Sequence, residues 1–231
     1  AGAAVLELGV PFSDPMADGP VNRRSSERAL KSGATLEGVL RLVRRLRRDG
    51  IALPIVLFTY FNPLFRMGLA KFARKAAEAG VTGVLALDLP PEEAGEYRSL
   101  MRAAGIDTVF LASPTSDGRR LDLIGKASTG FVYYVSRTGV TGVQARMSGT
   151  LGRELARARR RIKAPIAVGF GISTPAQARS VARLADGVVV GSAIVRMIEE
   201  SRGPRAAAVR IGAFARAMTA AVSRRRRPVS S

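Results

Sequence analysis

Residues 166–194 read IAVGFGISTPAQARSVARLADGVVVGSAI and contain two short apolar runs, each followed by a glycine-containing loop and a helical pattern. The first loop contains Gly169 and Gly171, and the second contains Gly191 and Ser192. Glycines let backbone N–H groups approach a phosphate closely, and a helix N-terminus favours its negative charge. Because two such loops in successive strand–helix units are typical of phosphate-binding barrels, this stretch favours a barrel. The alternative is that the glycines serve only tight turns.

Strand and helix patterns alternate along the whole chain. Apolar residues at three- and four-residue spacing, such as Leu36, Leu40 and Val43, predict amphipathic helices between the strands. Strict alternation indicates parallel strands joined by right-handed crossovers. Short apolar runs predict strands at 5–9, 55–59, 83–87, 108–111, 130–135, 166–168 and 187–190.

The predicted fold class is α/β. An open doubly wound sheet accepts seven strands, whereas a closed (β/α)8 barrel needs eight. The phosphate loops favour a (β/α)8 TIM barrel of the phosphate-binding type, here lacking its first β/α unit. The predicted organisation is a single barrel domain at 1–222 followed by a basic disordered tail at 223–231, because a tail of arginines, proline and small polar residues cannot pack. The chain opens with Ala1 and enters a strand almost at once, so we expect it to be N-terminally incomplete.

The composition excludes several kinds of chemistry. The 231 residues include no Cys and no His. The lack of Cys rules out disulfides, thiolate catalysis and Cys-based zinc sites, and the lack of His argues against most transition-metal sites, so no metal site is predicted. The lack of Cys also favours a cytoplasmic protein. No apolar run reaches about 18 residues, so no membrane span is predicted, and we see no signal peptide before the first strand.

The chain is strongly basic, with a net charge of +19 from 37 Lys and Arg against 18 Asp and Glu. Such a balance can mark a nucleic-acid partner. The arginines, however, fall in helical runs at 41–48 and 157–161 and in the tail, and aromatic residues do not interleave with them as a single-strand-binding groove requires. The sequence therefore favours arginines on solvated helix faces over a nucleic-acid site.

Two acids near the N-terminus are the first catalytic candidates. Glu7 stands inside an apolar strand-like run, and Asp18 follows in a loop rich in proline and glycine. Without His, proton transfer near neutral pH falls to carboxylates, Tyr or Lys. Because strand residues alternate, Glu7 faces opposite to Leu6 and Leu8, towards the barrel interior, where a low dielectric should raise its pKa. The alternatives are a strand-end Glu7 paired with an arginine and an Asp18 that only caps a turn.

A third motif runs from Tyr133 to Gly142 and reads YYVSRTGVTG. A strand here enters a loop that carries Ser, Thr, Gly and a single Arg. Such a loop is typical of a mobile segment that covers substrate. On its own the motif is equally compatible with a surface loop beside a packed tyrosine.

Together these pieces resemble the tryptophan synthase alpha chain family, from about Ala4 to the C-terminal helix. The matching strings are LELGVPFSDP at 6–15 with ADGP at 17–20, SRTGVTG at 136–142, GFGIS at 169–173 and GSAI at 191–194. The first string is highly specific, and the last two are shared with other phosphate-binding barrels. The resemblance implies a lyase that cleaves indole-3-glycerol phosphate to indole and glyceraldehyde 3-phosphate by a retro-aldol reaction in L-tryptophan biosynthesis.

The resemblance also implies roles for individual residues. Glu7 matches the general acid/base, Asp18 matches the acid that binds the indole N–H, and Tyr133 matches an active-site tyrosine. Thr141 matches the loop residue that meets Asp18 on closure. The matches to the phosphate cradle are Gly142, Gly171, Gly191 and Ser192. The matches to the indole pocket and its loop are Phe58, Tyr60, Leu85, Val135, Arg137 and Phe170.

The implied partner is a tryptophan synthase beta chain that carries pyridoxal phosphate, in an alpha2-beta2 heterotetramer. This chain itself is expected to need no cofactor. One alternative is a non-catalytic, truncated alpha-type subunit that only binds and modulates a beta chain. Another is a phosphosugar isomerase or epimerase barrel, but such enzymes often rely on His or a metal.

Overall fold

A computed structural model describes residues 1–136, 144–169 and 171–223, with only the backbone given for 144–148. Its centre is a curled half-barrel sheet of parallel strands in sequence order. The seven parallel strands predicted from the sequence are therefore confirmed. Within the described residues the first and last strands each pair on one side only. The strands are β1 (Leu6–Gly9), β2 (Ile55–Thr59), β3 (Gly83–Ala86), β4 (Asp107–Ala112), β5 (Val132–Val135), β6 (Ile166–Gly169) and β7 (Gly187–Val188).

Helices connect the strands and follow the last one. The helical patterns predicted from apolar spacing form as expected, and left-handed glycines end or follow them at Gly50, Gly80 and Gly105. The helices are α1 (Pro20–Lys31), α2 (Leu36–Arg48), α3 (Phe61–Met67), α4 (Leu69–Ala79), α5 (Gly95–Ala103), α6 (Gly118–Ala127), α7 (Gln144–Arg159), α8 (Pro175–Ala182), α9 (Ser192–Glu199) and α10 (Pro204–Ser223). In the described part of the chain, no helix is long and apolar enough to cross a membrane.

The two faces of the sheet bury different residues. Alternate strand residues such as Leu6, Leu8 and Leu57 pack against the helices in the main core. The opposite, inner face carries a small separate cluster of Val56, Leu85 and Val109 with Phe58, Leu87, Leu111, Phe131 and Tyr133 packed on it. This division fixes the inner face of the sheet as the wall of an apolar interior.

Several element boundaries differ from the sequence prediction. The runs predicted at 130–135 and 187–190 pair only over Val132–Val135 and Gly187–Val188. The first prediction starts two residues before the ladder, and the second extends two residues past it along the apolar run. Helix α10 ends at Ser223, one residue beyond the predicted end of the domain. Residues 224–231 lie outside the described part of the chain, so the disordered tail stays a prediction.

Helices α1 and α9 meet on the outside of the half-barrel. Arg24 and Arg28 of α1 both donate to the carboxylate of Glu199 in α9, at 2.8 and 2.9 Å. Helix α1 follows β1 and α9 follows β7, so this ion pair joins the two ends of the strand order. Contact between these helices brings the loops after β1 and β7 towards the same end of the molecule.

Candidate active site

Glu7 lies on the inner face of β1, as the alternation predicted. Its neighbours Leu6 and Leu8 pack into the core on the helix side. In the ladder, Glu7 lies opposite Val56 of β2, a member of the inner apolar cluster. The carboxyl group is thus held by a strand and faces an apolar wall.

The surroundings of Glu7 favour its neutral form. Burial raises the pKa of Glu7 from its ordinary value of 4.5 to about 7. Among the described residues no Lys or Arg forms an ion pair with it, so the alternative of a strand-end glutamate neutralised by arginine is not observed. A carboxyl group with a pKa near neutrality can both give and take a proton at physiological pH.

Tyr133 shares the inner face with Glu7. Burial raises the pKa of the Tyr133 hydroxyl, and the negative charge of Glu7 raises it further, so the two groups lie within electrostatic reach of each other. The Tyr133 ring lies over Gly169, where an added Cβ would come within 2.6 Å of the ring carbon Cζ. Glycine at 169 is therefore required to admit the tyrosine ring, a role that the sequence analysis did not assign to it.

Asp18 is held by hydrogen bonds from two side chains. Its Oδ2 accepts from the Tyr60 hydroxyl at 3.1 Å, and its Oδ1 accepts from Asn22 Nδ2 at 3.1 Å. The same Tyr60 oxygen accepts from the Ala17 backbone N–H at 2.9 Å. Burial and the Asp18 charge raise the pKa of Tyr60 to about 12, so its hydroxyl stays protonated and can donate. Both carboxylate oxygens of Asp18 thus accept hydrogen bonds from side chains.

Tyr60 was predicted as a wall of the indole pocket, and its position gives it a further role. The side chain is buried, its ring packs on Phe12 at a centroid distance of 5.1 Å, and its hydroxyl anchors the loop that carries Asp18. The tyrosine thus connects the end of β2 to the loop after β1. Sequence reasoning missed Asn22, which no motif marked.

The remaining predicted pocket residues occupy different depths of the inner face. Leu85 is fully buried in the inner cluster, and Phe58 packs against that cluster while half-buried. Val135 lies beside Gly169 in the ladder, at the carboxyl end of β5. Leu87 and Leu111 also line this face and were missed, although each stands two residues after another inner-face position and alternation marks it.

The two loops predicted to bind phosphate follow adjacent strands, because β6 pairs with β7 through Ala167 and Gly187. Helix α9 begins at Ser192, directly after its N-cap Gly191, and no side chain caps it. The first N–H groups of a helix have no partner within the helix. An added Cβ at Gly191 would meet no described atom within 4 Å, so the described residues leave room beside Gly191.

The N-terminus of α8 differs from that of α9. Thr174 accepts from the Gln177 backbone N–H at 3.2 Å, and the Gln177 side chain accepts from the Thr174 backbone N–H at 3.0 Å. This capping box satisfies the helix end with the chain's own groups. Helix α8 therefore has a capped N-terminus, and Gly171 in the loop before it supplies a left-handed turn with φ of 69°. The share of Gly171 in the phosphate cradle stays a prediction.

Four predicted site residues lie outside the described part of the chain, namely Arg137, Thr141, Gly142 and Phe170. The substrate-covering role of the loop at 137–142 and the share of Gly142 in the phosphate cradle therefore stay predictions.

Comparisons with known proteins agree on one family. The family model described as tryptophan synthase alpha chain matches residues 1–223. The tryptophan synthase alpha chain of Citrifermentans bemidjiense is 53% identical over 203 residues, which cover 88% of this chain and 76% of that protein. Among solved structures, the tryptophan synthase subunit alpha of Legionella pneumophila superposes with a TM-score of 0.85 at 37% identity and covers 96% of this chain and 82% of its own.

A chain of the tryptophan synthase complex from Pyrococcus furiosus superposes with a TM-score of 0.83 at 39% identity, covering 94% of this chain and 87% of its own. The family match spans almost the whole sequence. It therefore includes Glu7, Asp18 and all the strands of the half-barrel. On the extent of that match, the chain belongs to the tryptophan synthase alpha chain family.

Proposed function

We propose that Glu7, Asp18 and Tyr133 perform the alpha reaction in this chain. As a family member, the chain is a lyase that cleaves indole-3-glycerol phosphate to indole and glyceraldehyde 3-phosphate in tryptophan biosynthesis. The observation that carries the assignment of residues is the half-buried Glu7 carboxyl group, whose pKa is raised to about 7 on an apolar inner face.

Glu7 transfers the protons of the reaction. It protonates C3 of the indole ring, and it accepts the proton of the glycerol hydroxyl on the carbon attached to C3 as that hydroxyl becomes the aldehyde. The electron pair of the breaking carbon–carbon bond returns to the indole ring. One proton leaves oxygen and one arrives at carbon, so a single group with a pKa near neutrality serves both steps.

Asp18 stabilises the charge that develops in between. Protonation at C3 places positive charge on the indole nitrogen, and a carboxylate at the N–H lowers the energy of that state. Hydrogen bonds from Tyr60 and Asn22 hold this carboxylate in place before substrate arrives, which reduces the reorganisation needed during the reaction.

Tyr133 acts as a neutral hydrogen-bond donor beside Glu7. Because burial and the Glu7 charge raise the pKa of its hydroxyl, the tyrosine stays protonated throughout the physiological pH range. The inner-face residues Phe58, Leu85, Val135 and Phe170 provide apolar surface for the indole ring. A dry pocket strengthens every electrostatic interaction within it.

The phosphate of the substrate binds in front of α9. Gly191 and Ser192 offer backbone N–H groups at an uncapped helix N-terminus, whose dipole favours an anion. Gly171 and Gly142 complete the cradle from the neighbouring loops. Binding energy from the phosphate holds the indole ring against Glu7 without taking part in the bond cleavage.

A beta chain is the partner that this function implies. The Pyrococcus furiosus neighbour belongs to a tryptophan synthase complex, and we propose that this chain forms an alpha2-beta2 heterotetramer in which only the beta chain holds pyridoxal phosphate. The cytoplasmic location predicted from composition stays a prediction. No observation favours the non-catalytic alternative, since Glu7, Asp18 and Tyr133 are all present.

The experiment that tests the proposal is indole release from indole-3-glycerol phosphate by the wild type and by Glu7→Gln, each with and without a beta chain. The substitution keeps the shape of the side chain and removes the titratable proton, so we expect at least about a hundredfold loss of kcat. Glu27→Gln, an exposed position on α1, is the matched control and should retain wild-type activity. Indole release by Glu7→Gln at the wild-type rate would refute the assignment.

A further inference from the structure

Asn22 carries a buried polar atom that has no hydrogen-bond partner in the described part of the chain. The residue lies one helical turn after Asp18, near the start of α1, and its Nδ2 donates to Asp18 Oδ1 at 3.1 Å. Its own carbonyl oxygen, Oδ1, is shielded from solvent and has no hydrogen-bond partner among the described residues. A buried acceptor in this state is costly and calls for an explanation.

The orientation of the Asn22 amide is set by chemistry. An ionised carboxylate only accepts hydrogen bonds, so the amide must present its nitrogen to Asp18. Turning the amide over would bring two acceptors together. Because the two amide atoms are only about 2.3 Å apart, the unsatisfied Oδ1 is held close to the Asp18 carboxylate.

The side-chain donors of Tyr60 and Arg23 bond to acceptors other than Asn22 Oδ1. The Tyr60 hydroxyl donates to Asp18 Oδ2. The Arg23 side chain donates to the backbone oxygens of Asp18 and Met16, at 2.9 and 3.5 Å. The described part of the chain therefore supplies no donor for Oδ1.

We infer that Asn22 is a substrate-binding residue of the alpha reaction, whose Nδ2 holds the Asp18 carboxylate while its Oδ1 forms, with that carboxylate, a two-oxygen acceptor site for the indole N–H. The inference rests on the proposed function and adds a residue to it. It explains why a polar side chain with an unsatisfied atom is kept beside a catalytic carboxylate. It also makes Asn22 a determinant of selectivity for ring systems that carry an N–H.

Stability separates this role from a structural one. Asn22→Leu keeps the size of the side chain and removes the unsatisfied acceptor, and water can replace the lost donor at the half-exposed Asp18. We therefore expect Tm to stay the same or rise, while kcat/KM for indole release falls about tenfold, the value of one hydrogen bond. Asn22→Met, which is unbranched and favours helix, is the second variant, and Glu27→Gln is the control.

A pair of unreactive ligands tests the contact itself. One is an indole that carries a propyl phosphate chain on C3. The other is the corresponding benzofuran, in which an oxygen atom replaces the N–H group. The Kd of each ligand is measured by calorimetry with wild type and with Asn22→Leu. The four values form a thermodynamic cycle that isolates the contact between Asn22 and the N–H group. We expect Asn22→Leu to weaken the indole ligand about tenfold and to leave the benzofuran ligand within twofold of wild type.

Equal weakening of both ligands, no weakening of either, or a lower Tm in both Asn22→Leu and Asn22→Met would overturn the inference. The binding cycle needs no turnover. It therefore reports on Asn22 even if the comparison of wild type with Glu7→Gln shows that Glu7 is not the acid/base, so the two failures are distinguishable.

Discussion

Glu7 is an ionisable side chain in a buried site that disfavours its charged form, and this lowers the free energy of unfolding at high pH. Below pH 4.5 the side chain is protonated in both the folded and the unfolded chain. Between pH 4.5 and about 7 the folded chain binds the proton more tightly, so the free energy of unfolding falls as pH rises. Above pH 7 the carboxylate is charged in both states, and the penalty for burying it is complete.

Glu7→Gln should therefore stabilise the fold in a pH-dependent way. A shift from 4.5 to about 7 corresponds to an upper value of roughly 3 kcal/mol, and we expect Glu7→Gln to be about 2–3 kcal/mol more stable than wild type at pH 8. At pH 4 the two proteins should be equally stable. Urea unfolding at both pH values checks this, and an equal difference at the two values would contradict the raised pKa.

Gly169 is the second residue with a specific expectation. A methyl group here would overlap the Tyr133 ring, which packs against the inner cluster. Overpacking of this kind costs about 1–3 kcal/mol, so Gly169→Ala should lower both stability and kcat. Gly169→Ala combined with Tyr133→Phe should recover little, since the ring still overlaps. Wild-type stability in Gly169→Ala would show that the ring lies elsewhere.

For single residues, the sequence predicted the direction of a strand side chain but not its long-range contacts. Alternation in a short strand was enough to turn Glu7 inwards. The contacts of Tyr133 with Gly169, and of Tyr60 and Asn22 with Asp18, join segments far apart in the chain or depend on side-chain direction, and a local pattern carries neither kind of information.

At the level of elements, the ends of α8 and α9 show how similar sequences give different helix termini. Both helices follow a glycine loop, yet the pattern Thr174-Pro-Ala-Gln177 caps α8 with its own side chains. This signal was present in the sequence as a threonine followed three residues later by glutamine. Helix α9 has no such pattern, so an uncapped N-terminus in front of Gly191 distinguishes it.

Gly191→Ala should separate ligand binding from folding. The added Cβ meets no described atom within 4 Å, and φ of −109° is open to alanine. Loss of glycine flexibility in the unfolded chain should stabilise the fold by about 0.4–1 kcal/mol. The same methyl group occupies the space of the phosphate, so KM for indole-3-glycerol phosphate should rise about tenfold or more. An unchanged KM would remove Gly191 from the phosphate site.

At the level of the whole molecule, the first strand β1 and the last strand β7 do not pair with each other in the described structure. The helices that follow these two strands are in contact instead. Glu199 accepts from Arg24 at 2.8 Å and from Arg28 at 2.9 Å, joining α9 to α1. We expect Glu199→Gln to lower Tm slightly, with a difference that shrinks at high ionic strength because salt screens exposed ion pairs. A difference that is independent of salt would mean that packing, and not charge, joins these helices.

The positive charge of the whole chain also has a partial physical account. Several arginines bind backbone carbonyls and need no acidic partner: Arg47 donates to the oxygens of Ile51, Leu53 and Gly80, and Arg157 donates to those of Pro114 and Ser116. Composition alone could not show this, because these contacts form only after the helices and loops have packed. The seven parallel strands, in contrast, followed from local alternation, and the phosphate loops favoured the barrel over an open doubly wound sheet.

The pH dependence of kcat for indole release tests the central claim most directly, because kcat reports groups in the enzyme–substrate complex. Saturating substrate is needed, since the substrate phosphate itself titrates near pH 6. Burial raises the pKa of Glu7 to about 7 in the ligand-free chain, and bound substrate keeps the carboxyl group buried, so we expect an inflection of kcat in the neutral range in wild type and in Glu27→Gln. We expect no comparable activity in Glu7→Gln at any pH. A kcat that stays constant between about pH 5.5 and 8.5, or a Glu7→Gln protein that retains the wild-type profile, would contradict it.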